Sequence, residues 1–168
     1  MDTFIEKIVA KRRTVKDFLI AAGLVLATII LIPVVTRIPL VNTFTPIIAV
    51  GLIYIDYRLI TSRSIEYEYA VTNGDLDIDT IIARRKRKRI FSANCKDFEI
   101  VARLKTNRDK AGQLGNIVKR IEAVSSMDSE DIFFVTLNYK GERTAVFFEP
   151  DERMIRSFKT FIPRKVFE

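Results

Sequence analysis

Histidine is missing from all 168 residues. That removes the commonest general base, the commonest metal ligand and every catalytic triad built on imidazole. Cysteine occurs once, as Cys95, so neither an internal disulfide nor an all-protein zinc site can be assembled. A lone thiol of this kind reads as a small core residue. Only six glycines are present, and none falls in a GxGxxG or GKS/T loop, so no phosphate cradle is written into the chain. No cofactor and no metal are expected. No spacing recommends serine–lysine or paired-carboxylate catalysis, and a membrane hydrolase would need convergent polar residues that the sequence does not display. The chain reads as non-enzymatic.

Charge is also absent from two long stretches. Phe18 to Thr36 and Ile38 to Ile55 hold no charged side chain and are separated by Arg37 alone. A helix crossing the hydrocarbon core needs about 20 mostly apolar residues, and an uncharged residue or two at each end brings both runs to that length. The expectation is a transmembrane hairpin over residues 15–61, with helices at about 15–36 and 39–60. A cleaved signal peptide is the rival for the first run. It fits less well, because the run exceeds a 7–15 residue h-region and no small-x-small site follows it. Lys7, Lys11, Arg12, Arg13 and Lys16 precede the hairpin, and Arg58 and Arg63 close it. Basic residues near membrane ends stay cytoplasmic. A cell-membrane protein with two spans and both termini in the cytoplasm is therefore expected. Lys11, Arg12, Arg13, Lys16, Tyr54, Tyr57, Arg58 and Arg63 would serve as interface anchors.

Residues 1–14 read as a short amphipathic segment lying in the headgroup layer, or equally as a cytosolic extension of the first membrane helix. Thr3 and Glu6 have capping-box spacing, and Phe4, Ile5, Ile8 and Val9 share one face of a helix. Within the hairpin, Gly23 and Ala27 have the small-xxx-small spacing that permits close helix contact, and Pro46 is placed to kink the second helix. Asp56 is expected level with Lys16 and Asp17, as an interfacial ion pair.

Residues 62–168 leave room for one small domain, and their pattern is strands followed by one helix. Ile65, Tyr67, Tyr69 and Val71 alternate with polar residues up to Asn73-Gly74, and Leu76, Ile78, Thr80 and Ile82 alternate after it. Asn-Gly between two period-two runs is a strong hairpin signal. It pairs Val71 with Leu76 and Tyr69 with Ile78, and sets Glu68 opposite Asp79, an arrangement that needs nearby cations. A third strand ends near Ser92, a fourth covers Phe98 to Leu104, a polar loop runs from Thr106 to Asn116, and Ile117 to Val124 is a fifth. Ile132–Tyr139 and Glu142–Glu149 form a last hairpin about Lys140-Gly141, apolar on both faces. Pro150 suits a helix start, and Met154, Ile155, Phe158, Phe161 and Ile162 make one apolar stripe ending at Pro163. The expected fold class is an α+β membrane protein with seven antiparallel strands and a carboxy-terminal amphipathic helix.

That order resembles the pleckstrin-homology superfold, a two-sheet sandwich closed by its last helix, in the form seen in bacterial PH-like domains of Gram-positive membrane proteins. EYEYAVTNGDLDIDTIIARRKRKRI and FFEPDERMIRSFKTFIPRKVF resemble a family of small clostridial two-helix membrane proteins with a PH-like cytoplasmic domain. The family implies a fold but no activity or catalytic residues. Phosphoinositide-binding PH domains carry basic residues in the first strand–strand loop. Here that loop is Asn73-Gly74-Asp75, so inositol-phosphate recognition is not implied.

Arg84, Arg85, Lys86, Arg87, Lys88 and Arg89 form an unbroken basic run at the turn into the third strand. At about 3.3 Å per residue, the first strand carries the chain away from the membrane and the second returns it, so the run lies at the membrane-proximal end. Contact with anionic phospholipid headgroups is one reading. Neutralisation of Glu66, Glu68, Asp77 and Asp79, by Arg87 and Arg89 especially, is another, and a protein partner is a third. A membrane-tethered nucleic-acid-binding role is the alternative function. It is disfavoured by the lack of interleaved aromatics and by the acidic hairpin alongside. The leading expectation is a membrane-anchored PH-like scaffold that rests on anionic lipid through Arg84–Arg89 and engages a protein partner or another copy of itself.

Overall fold

In the computed structural model, described over residues 4–106 and 112–168, the chain divides into two units, residues 12–64 and residues 1–11 with 65–168. The second unit is built on two sheets. Strands β1 (Phe4–Ala10), β2 (Ile65–Thr72), β3 (Asp75–Ile82) and β4 (Lys86–Asn94) form the first, all antiparallel and in chain order. The second contains β5 (Ile100–Arg103), β6 (Lys119–Ala123), β7 (Phe133–Tyr139), β8 (Glu142–Phe148) and β9 (Val166–Phe167), ordered β6-β8-β7-β5-β9.

Both expected hairpins form for the expected reason. Asn73 and Gly74 have φ of 51° and 91°, and Lys140 and Gly141 have 56° and 86°. Two successive left-handed residues match the twist of the flanking strands. Val71 faces Leu76, Tyr69 faces Ile78, and Glu68 faces Asp79.

The inner faces of the two sheets enclose the main core. Tyr69, Val71, Leu76, Ile78 and Phe91 meet Val135, Leu137, Val146 and Phe148, all essentially inaccessible. Helix α4 (Glu152–Phe161) closes one end with Met154, Ile155 and Phe158. Asp151 caps it, accepting a hydrogen bond from the Met154 N–H at 2.8 Å, so Pro150 sits just before the cap. The second sheet is apolar on its other face too, where Ile100, Ala102, Phe134, Ala145 and Phe147 pack under Leu114, Ile117 and Phe167. This accounts for the doubly apolar β7–β8 hairpin.

Four expectations are corrected. The amino-terminal segment is a strand rather than an amphipathic helix. Ile5 and Val9 point into the core and β1 pairs with β2 from Phe4↔Thr72 to Ala10↔Glu66. Seven residues are too few for the helical pattern to prevail, and the open edge of β2 decides the outcome; Thr3 of the capping pair lies outside the described residues. The strands number nine among the described residues, not seven, and they are not all antiparallel. β6 runs parallel to β8, and β9 runs parallel to β5. Of the polar loop, residues 107–111 lie outside the described residues, and Gly112–Asn116 is a turn of 3₁₀ helix.

Residues 12–64 are helical: α1 (Val15–Thr36), a single turn α2 (Pro39–Asn42) and α3 (Thr45–Ser62). Among the described residues, α1 is the one helix long and apolar enough to cross a membrane by length and composition. The second apolar run is divided, because Pro39 starts α2 and Pro46 lies in the first turn of α3. A first-turn proline gives up an N–H that would have no partner anyway, so Pro46 starts a helix instead of kinking one. No side chain on α1 or α3 is fully buried, and Gly23 has no heavy atom within 4 Å of a would-be Cβ. The Gly23/Ala27 pair therefore does not mediate contact between these helices.

Candidate functional site

The turn from β3 to β4 is where the basic run folds. Ala83 and Arg84 take φ of 55° and 53°, a left-handed conformation that costs a residue with a Cβ about 1–2 kcal/mol. The Arg85 N–H donates to the Ile82 carbonyl at 3.1 Å, and Lys86 pairs with Ile82. From there alternation divides the run between the two faces of the sheet. Arg87 and Arg89 lie across from Ile81 and Asp79 on the outer face; Lys88 lies across from Thr80 on the inner-face side. The register then shifts between Asp79 and Ile78. That bulge lets Phe91 turn into the core while both arginines stay outside.

The outer face is a charge network. Arg89 reaches Asp79 and Asp77, each at 2.7 Å, and Arg87 pairs with Glu68 and lies 4.0 Å from Asp79. Arg84 bonds Glu66 at 3.0 Å while remaining 83% exposed. Glu68 and Asp79 are both buried, side by side on neighbouring strands. Burial pushes the Glu68 carboxyl above its usual range, against the pull of Arg87, with the charges of Glu6 and Asp79 adding to the rise. The hydrogen bond to Asp79 raises Arg89 further. Arg87 and Arg89 thus carry out the neutralisation that the acidic hairpin requires.

Lys86 and Lys88 are exposed and make no ion pair among the described residues; Arg85 is exposed as well. The run is therefore split in use, with Arg84, Arg87 and Arg89 bonded to sheet carboxylates and Lys86 and Lys88 presenting charge to solvent. All of this lies at one end of the first sheet. Ala10 pairs with Glu66, and Ile65 with Ile82, so β1 ends and β2 begins beside the 83–85 turn. The chain leaves this unit for residues 12–64 and re-enters it at that same end. The Lys11 N–H still donates to the Ile65 carbonyl at 2.9 Å.

The expected interface anchors Lys11, Arg12, Arg13, Lys16, Tyr54, Tyr57, Arg58 and Arg63 are all exposed. Arg63, which caps α3, bonds Asp17 at 2.8 Å. Asp56 is not level with Lys16 and Asp17. Its carboxylate accepts a hydrogen bond from the Thr28 hydroxyl at 2.7 Å, and it precedes Arg63 by about 10 Å of helix. Antiparallel counting missed this because the connector uses a helical turn, α2, in place of a tight loop.

The lone thiol and the buried tyrosine have structural surroundings. Cys95 is buried, and burial pushes its thiol upward, away from a reactive thiolate. Tyr69 is driven far upward by burial; its hydroxyl donates to the Ala123 carbonyl and accepts from the Glu149 N–H at 3.4 Å. Among the described residues no group of three acidic, cysteine or histidine side chains is placed to hold a metal ion.

Two facing sheets closed by a carboxy-terminal helix define a PH-like α+β protein. The chain belongs to the bacterial PH-like domain family DUF6106, whose profile matches residues 1–168. No curated protein and no solved structure matches it.

Proposed function

We propose that this protein is a non-enzymatic, membrane-anchored scaffold. In this reading α1 and α3 cross the bilayer as a pair, and the PH-like unit rests on the anionic inner leaflet through the exposed cations of the 83–89 turn. Its remaining surfaces engage a protein partner or a second copy.

The observation that carries this reading is the pairing of β1 with β2 across the helical segment. Strands hydrogen-bonded in one sheet lie on the same side of any membrane, so the residues between them cross an even number of times. If α1 crosses, α3 must return. At 18 residues α3 is about 27 Å long, close to a hydrocarbon core of about 30 Å. Asp56 has Thr28 as a partner, and Arg58 has a long stem with which to snorkel. The same pairing argues against signal-peptide cleavage, which would remove β1. Basic flanks at Lys11–Lys16 and Arg58–Arg63 orient the pair with both termini in the cytoplasm. The chain junctions adjoin the 83–85 turn, which favours holding its cations within a Debye length of the headgroups, about 8–10 Å. Each cation so held gains on the order of 1 kcal/mol. A nucleic-acid role is less well supported, since Arg84, Arg87 and Arg89 already bond sheet carboxylates.

Lysine footprinting on the full chain tests the lipid contact. The protein is reconstituted in vesicles of phosphatidylcholine, alone or mixed with phosphatidylglycerol, and treated with an amine-reactive reagent. Lys86 and Lys88 should be protected on the anionic vesicles only. Protection should vanish near 1 M salt, where screening contracts to about 3 Å, and should weaken in R84Q/R85Q. Equal labelling on both vesicles overturns the docking.

A further inference from the structure

A cavity of about 310 Å³ opens between the start of α1 and the end of α3. Its lining includes apolar Phe18 and Ala21 of α1 and Ile60 of α3, together with Arg13 and Arg63. The one acid in the lining, Asp17, is fully engaged. One of its carboxylate oxygens takes the Arg63 guanidinium at 2.8 Å, and the other accepts from the Thr14 hydroxyl at 2.8 Å and the Thr14 N–H at 3.0 Å. Arg13 is exposed and has no ion pair among the described residues. Two cations against one occupied anion leave a net positive charge in a lining that is otherwise largely apolar.

We propose that this cavity is a binding site for one anionic phospholipid of the inner leaflet. Its phosphate would sit at Arg13 and Arg63, with an acyl chain along Phe18, Ala21 and Ile60. The lining combines the two chemistries of the lipid itself, cationic groups for a phosphate and apolar side chains for an acyl chain, and its volume is at the lower end for a small-molecule pocket. Basic pockets between membrane helices on the cytoplasmic side are suited to anionic head groups. A bidentate guanidinium favours a phosphate over a zwitterion's internally balanced head. The inference rests on the two-span reading, since a cavity in water would meet no acyl chain.

The test uses the full chain in mild detergent, carrying Phe18→Trp as reporter; the protein has no other tryptophan. Brominated phosphatidylglycerol or brominated phosphatidylcholine is titrated in, and quenching of the indole is read. The expected result is a preference for the anionic lipid of about fivefold per engaged arginine. It should fall about fivefold in R13Q and be unchanged in R37Q. Native mass spectrometry of the chain without the reporter, from an equimolar lipid mixture, should show one retained phosphatidylglycerol, with its retention reduced in R13Q. Equal quenching by both lipids, indifferent to R13Q, overturns the site while leaving the spans intact. No quenching by either lipid overturns the site and the two-span reading together.

Discussion

Gly74 shows how much a single position holds together. Its φ of 91° lies where a residue with a Cβ is strained, and an added Cβ would come 2.9 Å from the Cys95 sulfur and 3.2 Å from the Phe161 ring. The backbone penalty is about 1–2 kcal/mol, and overpacking a filled site adds about 1–3 kcal/mol. Gly74→Ala should therefore lower stability by about 2–5 kcal/mol, read as a shifted chemical-denaturation midpoint of the full chain in detergent. A midpoint within error of the parent would mean that the turn yields without cost. The turn itself is legible from Asn73-Gly74, but the crowding is not, because Cys95 and Phe161 arrive from distant parts of the chain. The charges behave alike. That Glu68 would face Asp79 and need cations follows from hairpin register alone. Arg87 and Arg89 answer, as their place in the basic run suggested, but the register shift at Ile78/Asp79 that accompanies the burial of Phe91 is announced by no local pattern.

At the scale of elements, β1 is the informative case. The apolar residues of Phe4 to Ala10 come in the pairs 4/5 and 8/9, which suits a helical stripe, yet the segment is too short for that pattern to prevail. The choice is made by β2, whose edge would otherwise be left unpaired. Ile5 and Val9 are buried in consequence, worth about 3–6 kcal/mol together at 1.5–3 kcal/mol each. Domain stabilities are about 5–15 kcal/mol, so this is a large share. Deleting residues 1–11 should leave residues 65–168 unfolded or aggregated, with accelerated exchange of the β2 and β3 amides. Joining residues 4–11 directly to 65–168 by a short linker should restore protection. A deletion variant with parental exchange rates would show β1 to be dispensable. By contrast, β2, β3, β7, β8 and α4 were legible because each carries its own turn, period or cap. β6 was legible as a strand within Ile117–Val124 but its parallel pairing was not, and β9 was not legible, since their partners are supplied by tertiary contact.

For the whole molecule, the helical segment is an insertion within a sheet, and this turns a hydropathy argument into one of parity. With cysteine present only at Cys95, which is buried, a Cys95→Ser background permits single reporters. In intact cells an impermeant maleimide should label Arg37→Cys, in the connector, and leave Lys140→Cys untouched. Lys140→Cys should label once the cells are opened. Labelling of Lys140→Cys in intact cells would place the PH-like unit outside and reverse the proposed orientation. If neither site were protected, the chain would not cross the membrane at all. The sequence by itself determined the apolar α1, the strand hairpins at Asn73-Gly74 and Lys140-Gly141, the closing amphipathic helix and the solitary basic run. These are encoded by local periodicity and by residues with restricted backbones. Long-range contact settled that β1 completes the first sheet, that β6 and β9 run parallel to their neighbours, and that Asp56 meets Thr28. Those outcomes depend on contacts between residues far apart in the chain, where an unsatisfied edge or an uncompensated charge selects its partner by proximity, which no short stretch of sequence specifies.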